Sequence, residues 1–501
     1  MKNQLMRMLH LCLVVVLMFG GFQAIAQEKS TSDQSVAMSF EEAVAVLREH
    51  NYSIRATEKE HESVKYEAKS KKGLYLPHLS VTGTYTVLSD DIEMHMDLTG
   101  AKAMGGAMMK GMQDYAKAVI GNLPPTMAGA IAKAMGSVPP PSFNMNMLPN
   151  SLGLKIQDQQ LGLITGNLAQ PIFMGGKIRA ANKAAQAKLK ASDLELSNVT
   201  NEQITELAAR YYGLLLATRL VEVRKEVLDG FKKHLDDAVL LEKQGMISKA
   251  ERLHANVSYM DAVQKYKAAV KDQELVQIGL QNTLGVGYKV LPTTQLGVMG
   301  TLNDLKYYQD YAQKNNPKLL QVDQKQIMVD QLVRKEKSEY LPEIALVGSG
   351  NIYEYQVTDL MPNWFIGIGI KINIFDGFSR ENKIKAAKAK QAEVAIYKDK
   401  ACHDINTVVM KTYHEIEKAS ESATSLDSSM DFAEEYFRVR NKAFKEGFAT
   451  STQVVDAQMN LSKTKIERLQ AMYQYDMAFV KLLEWCGMSD SFVSYTVNKE
   501  K

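Results

Sequence analysis

The chain says the same things twice, at two fixed spacings. LYLPHLSV at 74–81 is echoed by EYLPEIAL at 339–346, so Tyr75, Leu76 and Pro77 stand 265 residues before Tyr340, Leu341 and Pro342. REHNYSI at 48–54 aligns with QKNNPKL at 313–319 at the same offset, placing Asn51 on Asn316 and Ile54 on Leu319. A second offset, of 202 residues, places PIFMGG (171–176) on NIFDGF (373–378) and EKQGMIS (242–248) on FKEGFAT (444–450), with Phe173 on Phe375 and Gly245 on Gly447. The unit is therefore duplicated, and the first copy carries 63 extra residues between its landmarks. Self-similarity of this kind restricts the possible folds before any single element is read.

Each copy reads helix, strand, loop, strand, very long helix, glycine turn, long helix. The strands show alternation. WFIGIGIKINIF (364–375) sets Trp364, Ile366, Ile368, Ile370, Ile372 and Ile374 on one face and Gly367, Gly369, Lys371 and Asn373 on the other. Its length covers the roughly 9–11 residues that a tilted strand needs to cross a bilayer. EIALVGSGNI (343–352) puts Ile344, Leu346 and Ile352 on one side, and HLSVTGTYTVLS (78–89) sets Leu79, Val81, Tyr85 and Val87 opposite Thr82, Thr84 and Thr86. GLITGNLAQPIF (162–173) is weaker, with Ile164, Leu168 and Ile172 in step. A soluble sandwich shows the same alternation, and polar faces of Thr, Gly, Asn and Lys suit a solvated sheet as well as a wet lumen.

The helices tip that balance. Lys177 to Lys243 contains no proline and only Gly213 and Gly230 as glycines, so a helix of roughly 100 Å is expected. A matching run from Ser379 to Lys445 has neither proline nor glycine. Beyond Gly447, Val455, Met459, Ser462, Ile466, Leu469, Tyr473, Asp476, Val480 and Leu483 step by fours and threes, a coiled-coil seam. Ser462 and Asp476 predict that half of this seam is partly wet.

Bulk features exclude several classes. Lys2 and Arg7, the apolar LCLVVVLMFGGF and Ala24-Ile25-Ala26 predict a signal peptide over 1–26. No later stretch is apolar enough for a membrane helix. A net charge of +3 points neither to nucleic acid nor to an acidic substrate. Cys402 and Cys486, the thiols left after processing, read as buried small apolar residues rather than a disulfide framework. Hydrolase, phosphate-loop and dinucleotide motifs are missing, and His95 and His403 have no ligand cluster at metal spacing. No enzyme, cofactor or metal is predicted. The insertion at about 91–150 holds ten of the 27 methionines and six of the 12 prolines, with Met94-His95-Met96, Met108-Met109, Met112 and Met145-Asn146-Met147. Thioethers suit Cu(I), but an external loop that packs adaptably through methionine is the expected reading.

With the doubled YLP entry, Asn-Pro at 316–317, QPIFMGGK (170–177), NIFDGFSR (373–380), the glycine turns and GFATSTQVVDAQMNLSKTKIE (447–467), the mature chain resembles the TolC-type outer membrane efflux proteins. The resemblance implies an all-α chain with a small transmembrane β-barrel. Four strands from each subunit would make a twelve-stranded barrel in a homotrimer, above a long α-helical coiled-coil barrel. It implies an outer membrane channel of a tripartite efflux pump or type I secretion system, with a periplasmic helical tunnel. Its partners would be a periplasmic adaptor (membrane fusion) protein, an inner membrane transporter and outer membrane lipid. The glycine turns at Gly245 and Gly447 are the expected adaptor-docking tips. The family's acidic entrance ring falls on Gln453 and Asp456, and the acidic partner in its lock on Glu251. The aromatic and basic lock positions fall on Phe444 and Ala449, which cannot make that bond. The expected division is 27–290 for the first repeat, 300–487 for the second and 488–501 for a tail. The competing reading is an elongated periplasmic coiled-coil scaffold without channel activity.

Overall fold

A computed structural model of the chain describes residues 35–122, 124–136, 147, 149–298, 302–357 and 362–499. The expected leader at 1–26 lies outside the described residues, as do Met145 and Asn146 of the methionine-rich segment.

In chain order, β1 (Ser35–Met38) leads through α1 (Phe40–His50) to α2 (Tyr52–Lys72). β2 (His78–Val87), β3 (Ile92–Asp97), α3 (Thr99–Gly121), α4 (Pro125–Gly136), β4 (Ser151–Gln157) and β5 (Gln160–Met174) follow. β5 feeds α5 (Lys177–Lys243), which turns into α6 (Lys249–Leu284) and β6 (Lys289–Pro292). The second copy supplies α7 (Leu305–Asn315), α8 (Pro317–Ser338), β7 (Glu343–Tyr355), β8 (Trp364–Lys371), α9 (Ser379–Lys445) and α10 (Ser451–Cys486), and α11 (Ser491–Lys499) ends the described chain. The duplication holds to the residue: α5 and α9 have 67 residues each, α6 and α10 have 36 each. Two compact units result. One gathers the residues up to Ala68, Lys183–Gln331 and those from Ala387 onward, and the other gathers Lys69–Asn182 and Leu332–Ala386.

The first unit is helical. Its core forms where α1, α7 and α11 join the long helices. Ser39 and Glu42 make a capping box that starts α1, and Phe40, Ala43, Val44 and Leu47 bury one face at helical spacing. Phe40 meets Tyr211 of α5 edge-on at 5.5 Å and Phe492 of α11 at 5.3 Å. The Tyr211 hydroxyl donates to the Met38 carbonyl at 2.7 Å and accepts from the Thr293 and Thr294 amides, tying α5 to the parallel pair β1–β6. The segment expected as a tail is thus partly core, because Phe492 is fully buried. Asp476 and Ser462, expected to be wet, are also buried, and Met459 is the seam position left half exposed. Burial pushes the Tyr495 hydroxyl far up, and the neighbouring Asp476 adds to the shift. Burial likewise pushes the Cys486 thiol up to about 12.

The repeated asparagines explain one of the sequence echoes. Asn51 follows α1, and its Oδ1 accepts from the Ser53 and Ile54 amides that open α2, while its Nδ2 donates to the Thr283 carbonyl at 2.8 Å. Asn316 follows α7, and it accepts from the Leu319 amide and donates to the Trp485 carbonyl at 2.7 Å. Each asparagine thereby pins a helix kink to the end of a long hairpin. Those hairpins end at Gly285 and Gly487, both left-handed, with φ of 71° and 73°. A Cβ there would lie 2.8 Å from the His50 carbonyl oxygen and 2.6 Å from that of Asn315, respectively. The close approach of the two backbones requires glycine.

The second unit holds an antiparallel sheet in the order β2-β5-β7-β8. A smaller antiparallel pair, β3–β4, continues beyond the β2 and β5 ends and carries α3 and α4. The segment expected as a loop is therefore built of elements among its described residues. Strand β8 stops at Lys371, not at Phe375 as the alternation suggested. Lys371 pairs with Glu343, and the next partner on β7 would be Pro342, which has no N–H to offer. The weakest strand in the sequence, β5, is the longest at 15 residues. A bulge at Ile172 breaks its alternation, so Phe173 rather than Ile172 stands opposite Ile344.

These contacts fix expected stabilities. Asn316→Ala leaves the Trp485 carbonyl and the Leu319 amide without their partner and is expected to cost about 1–3 kcal/mol. Gly487→Ala should cost at least as much, whereas Gly287→Ala, with nothing within 4 Å of the added Cβ, should be close to neutral. Denaturant unfolding followed by circular dichroism in detergent measures all three.

Candidate functional site

Two places hold the candidate functional side chains: the turns between the long helices, in the helical unit, and the faces of the sheet, in the other. At the first turn Gly245 has a φ of 72°, and the Met246 amide donates back to the Leu241 carbonyl at 2.9 Å. At the second, Gly447 has a φ of 80°, and the Phe448 amide donates to the Ala443 carbonyl at 2.8 Å. Both are left-handed helix ends that glycine supplies without strain. Ser248 and Thr450 then cap α6 and α10. The residue after each glycine is apolar and exposed, Met246 at 53% and Phe448 at 83%. The sequence reading passed over both, although the doubled pattern of glycine followed by an apolar residue contained them.

The two turns are held to each other. Glu251 of α6 accepts from the Ser451 amide, the first residue of α10, at 2.8 Å. The Ser451 hydroxyl lies 2.8 Å from Nε2 of His234, a buried residue of α5. His234 in turn packs on Phe444 with ring centroids 4.6 Å apart. Burial holds the His234 imidazole down at about 4, opposed in part by Asp237 and Glu251, so the ring is neutral. Phe444 and Val454 are buried with Ala238, Leu241 and Ala255, and Ala449 packs against them. Ion pairs Lys445–Asp237 at 3.3 Å and Arg252–Glu242 at 2.7 Å flank this cluster. The lock positions that sequence found unable to hydrogen bond are thus core, and His234 and Ser451, which it did not single out, make the link.

Gln453 and Asp456 share an exposed face of α10 with Asn460 and Lys463. Gln453 also completes the Thr450 capping box, accepting from the Thr450 amide at 3.1 Å. Glu251 does not join that face, because its carboxylate is turned to the Ser451 amide.

The sheet is amphipathic. Register aligns Leu79 with Leu168, Val81 with Gly166, and Gly348 with Leu168 and Ile366, so one face carries Leu79, Val81, Tyr85, Leu168, Leu346, Trp364, Ile366, Ile368 and Ile370. Ile366, Ile368 and Ile370 are each 58–66% exposed, although apolar. The opposite face has Ser80, Thr82, Thr84, Thr165, Asn167 and Ser349. There Asn167 donates to Thr82 at 3.2 Å and accepts from the Ser349 hydroxyl at 2.9 Å. Exposed aromatic residues rim both ends: Tyr75, Phe173, Tyr340, Phe375 and Phe378 at one, Tyr85, Tyr353, Tyr355 and Trp364 at the other. Nine steps from Ile344 to Tyr353 at about 3.3 Å each give about 30 Å of strand. A tilt of 35–45° reduces this to about 23 Å, close to the apolar band of an outer membrane barrel. The YLP and NIFDGFSR motifs meet at one rim. Arg380 lies over the Tyr340 ring at 4.6 Å, and its guanidinium donates to the Asn373 and Ile374 carbonyls at 2.8 and 3.0 Å. This ties the exit of β8 to the start of α9.

Alternation on β3 sets Met94 and Met96 on one face, opposite Leu154 and Leu152, and His95 on the other beside Glu93. These three residues therefore cannot converge on one ion. Among the described residues no group of three His, Cys, Asp or Glu is placed to hold a metal, and no helix is long and apolar enough to cross a membrane.

Comparison with known proteins agrees with this geometry. Residues 309–488 match the outer membrane efflux protein family. The alkaline protease secretion protein AprF of Pseudomonas aeruginosa is 20% identical over 341 residues, 65% of this chain and 69% of that one. The fold is similar to that of the CmeC outer membrane channel of Campylobacter jejuni, with a TM-score of 0.67 and 12% identity over 96% of this chain and 93% of that one. It is also similar to the outer membrane protein VceC of Vibrio cholerae, with a TM-score of 0.66 and 12% identity over 90% of this chain and 96% of that one. Residues 309–488 are thus similar to the outer membrane efflux proteins, and the comparisons together support an outer membrane channel for efflux or secretion, with the long helices on the periplasmic side.

Proposed function

We propose that three copies of this chain close one twelve-stranded barrel, and that substrates leave passively through it. Its helix turns dock a periplasmic adaptor that connects it to an inner membrane transporter, which supplies the energy. The channel itself does no chemistry and needs no cofactor. The observation that carries this reading is a four-stranded sheet with an apolar exposed face and two edges, β2 and β8, that no strand among the described residues covers. In hydrocarbon every unpaired backbone group costs several kcal/mol, so such a sheet is viable only when closed. Rotational symmetry closes it by pairing β8 of one copy with β2 of the next. A periplasmic scaffold would have no use for that apolar face.

Around the same axis, the Asp456 carboxylates form the entrance ring with the Gln453 amides beside them, and Glu251 holds the closed arrangement through Ser451. Met246 and Phe448 join Gly245 and Gly447 as the docking surface. The link between the turns is sensitive to acid. His234 is neutral in the folded tip and faces Asp237 on its own helix, Glu251 and His254 on α6, the Lys445–Asp237 pair at α9 and Ser451 on α10. Its folded value lies below the unfolded value near 6.5, so the unfolded tip binds more protons between the two. The stabilising effect of the neutral ring is complete above pH 6.5 and is lost as pH falls through 4. The loss amounts to about 3 kcal/mol.

Membrane insertion tests the main claim. Ile368→Lys puts a charge on the lipid-facing side at an expected cost of about 2–4 kcal/mol and should reduce assembled channel in outer membranes. Thr84→Lys on the opposite face should assemble normally. Equal assembly of both variants would contradict the assignment of faces.

Planar-bilayer conductance tests the entrance. Asp456→Ala should weaken cation preference and block by a trivalent cation from the periplasmic side. Glu251→Ala should leave the block and raise resting conductance. Acidification from pH 6.5 to 4 should open the wild-type channel progressively, and His234→Gln should flatten that response. An unchanged block in Asp456→Ala removes that residue from the entrance.

A further inference from the structure

The helices α3 and α4 in the first-copy insertion present a surface that the barrel and tunnel do not use. Met104, Met108, Met112, Tyr115 and Val119 fall within an arc of about 80° on α3 at 3.6 residues per turn. They are 75, 71, 67, 74 and 44% exposed, and no residue of α3 is buried. Lys110, Gln113 and Lys117 lie on the opposite side of the helix. In α4, Met127 and Ile131 share one exposed face with Lys133 away from it. Together the two helices carry four lysines, Lys102, Lys110, Lys117 and Lys133, against the single acid Asp114. An apolar stripe backed by a cationic face is the pattern of a helix that lies in a membrane interface.

The place of attachment agrees with this. The ribbon β3–β4 leaves the sheet at the Val87 and Gln160 end, next to the aromatic rim of Tyr85, Tyr353, Tyr355 and Trp364. Its bend is fixed by Lys155, which lies between Asp91 at 2.9 Å and Asp158, and by the Gln159 amide donating to Asp91 at 2.6 Å. The ribbon bears its own exposed apolar face of Met94, Met96, Leu152 and Leu154. The path from the sheet to the insertion helices thus carries exposed apolar side chains of its own.

We propose that α3 and α4 rest on the outer membrane surface as an interfacial platform. The methionine stripe sits at the acyl boundary, and the lysines attract the phosphate groups of anionic lipid. Flexible thioethers suit an irregular lipid surface. The inference rests on the sheet being the membrane-spanning part, and the test keeps the two separable.

The protein, with Cys402 and Cys486 replaced by Ser and Ala, is given a single cysteine and an environment-sensitive fluorophore. It is reconstituted in phosphatidylcholine vesicles with and without phosphatidylglycerol, each containing a lipid spin-labelled near its headgroup. Ile368→Cys reports on the barrel itself, and its quenching by lipid confirms insertion. Quenching at Met108→Cys is expected to exceed that at Lys117→Cys several-fold and to increase with phosphatidylglycerol. Replacing Lys110, Lys117 and Lys133 by Gln should remove that increase. The proposal is overturned if the Met108 probe, in protein whose Ile368 probe is quenched, responds to aqueous iodide as strongly as the Lys117 probe. It is also overturned if Met108→Cys cross-links between copies in place of lipid quenching.

Discussion

The backbone hydrogen bonds that one chain cannot make set the terms for the rest of the structure. Among the described residues, strands β2 and β8 have a strand partner on one side only, and the face they carry is apolar. Water cannot satisfy their free amides and carbonyls inside a bilayer. In the proposed assembly a sheet of four such strands is a fragment of a closed surface that identical copies complete. The polar ladder of Thr82, Asn167 and Ser349 then faces the lumen, where its hydroxyls and amides stay hydrated.

Duplication does the corresponding work among the helices. Two offsets, 265 and 202, are needed because the insertion lies between the landmarks of the first copy alone. Asn51 and Asn316 obey the first offset, and Gly285 and Gly487 obey the second. Each asparagine meets the end of the hairpin in its own copy, so each copy closes a loop with the same two residues. The hairpin turns at Gly245 and Gly447 repeat in the same way, but what joins them is unequal. Glu251 comes from the first copy and Ser451 from the second, so two like units meet through unlike residues.

Much of this was legible in the sequence. Runs without proline gave α5 and α9 to their last residue, and alternation gave the four strands of the sheet. Errors came where tertiary contacts override a local pattern. Ile372 and Ile374 continue the alternation of β8 in sequence, but the partner strand ends at a proline. Ile172 is out of step because a bulge inserts it. Asp476 sits in the helical core although its side chain is polar, and Phe492 of the expected tail is buried against Phe40. The short pair β1–β6 had no periodicity to show. At the tip, the glycines were readable because they recur, whereas His234 carries no signal in a lone sequence, since only the folded chain brings it to Ser451.

The central claim is that this sheet has no stable membrane form as a single chain. Native mass spectrometry of the intact protein, released from a mild detergent and checked for conductance in the same preparation, counts the chains in the functional particle. The account predicts three, with dissociated chains inactive. A conducting monomer or dimer would contradict it.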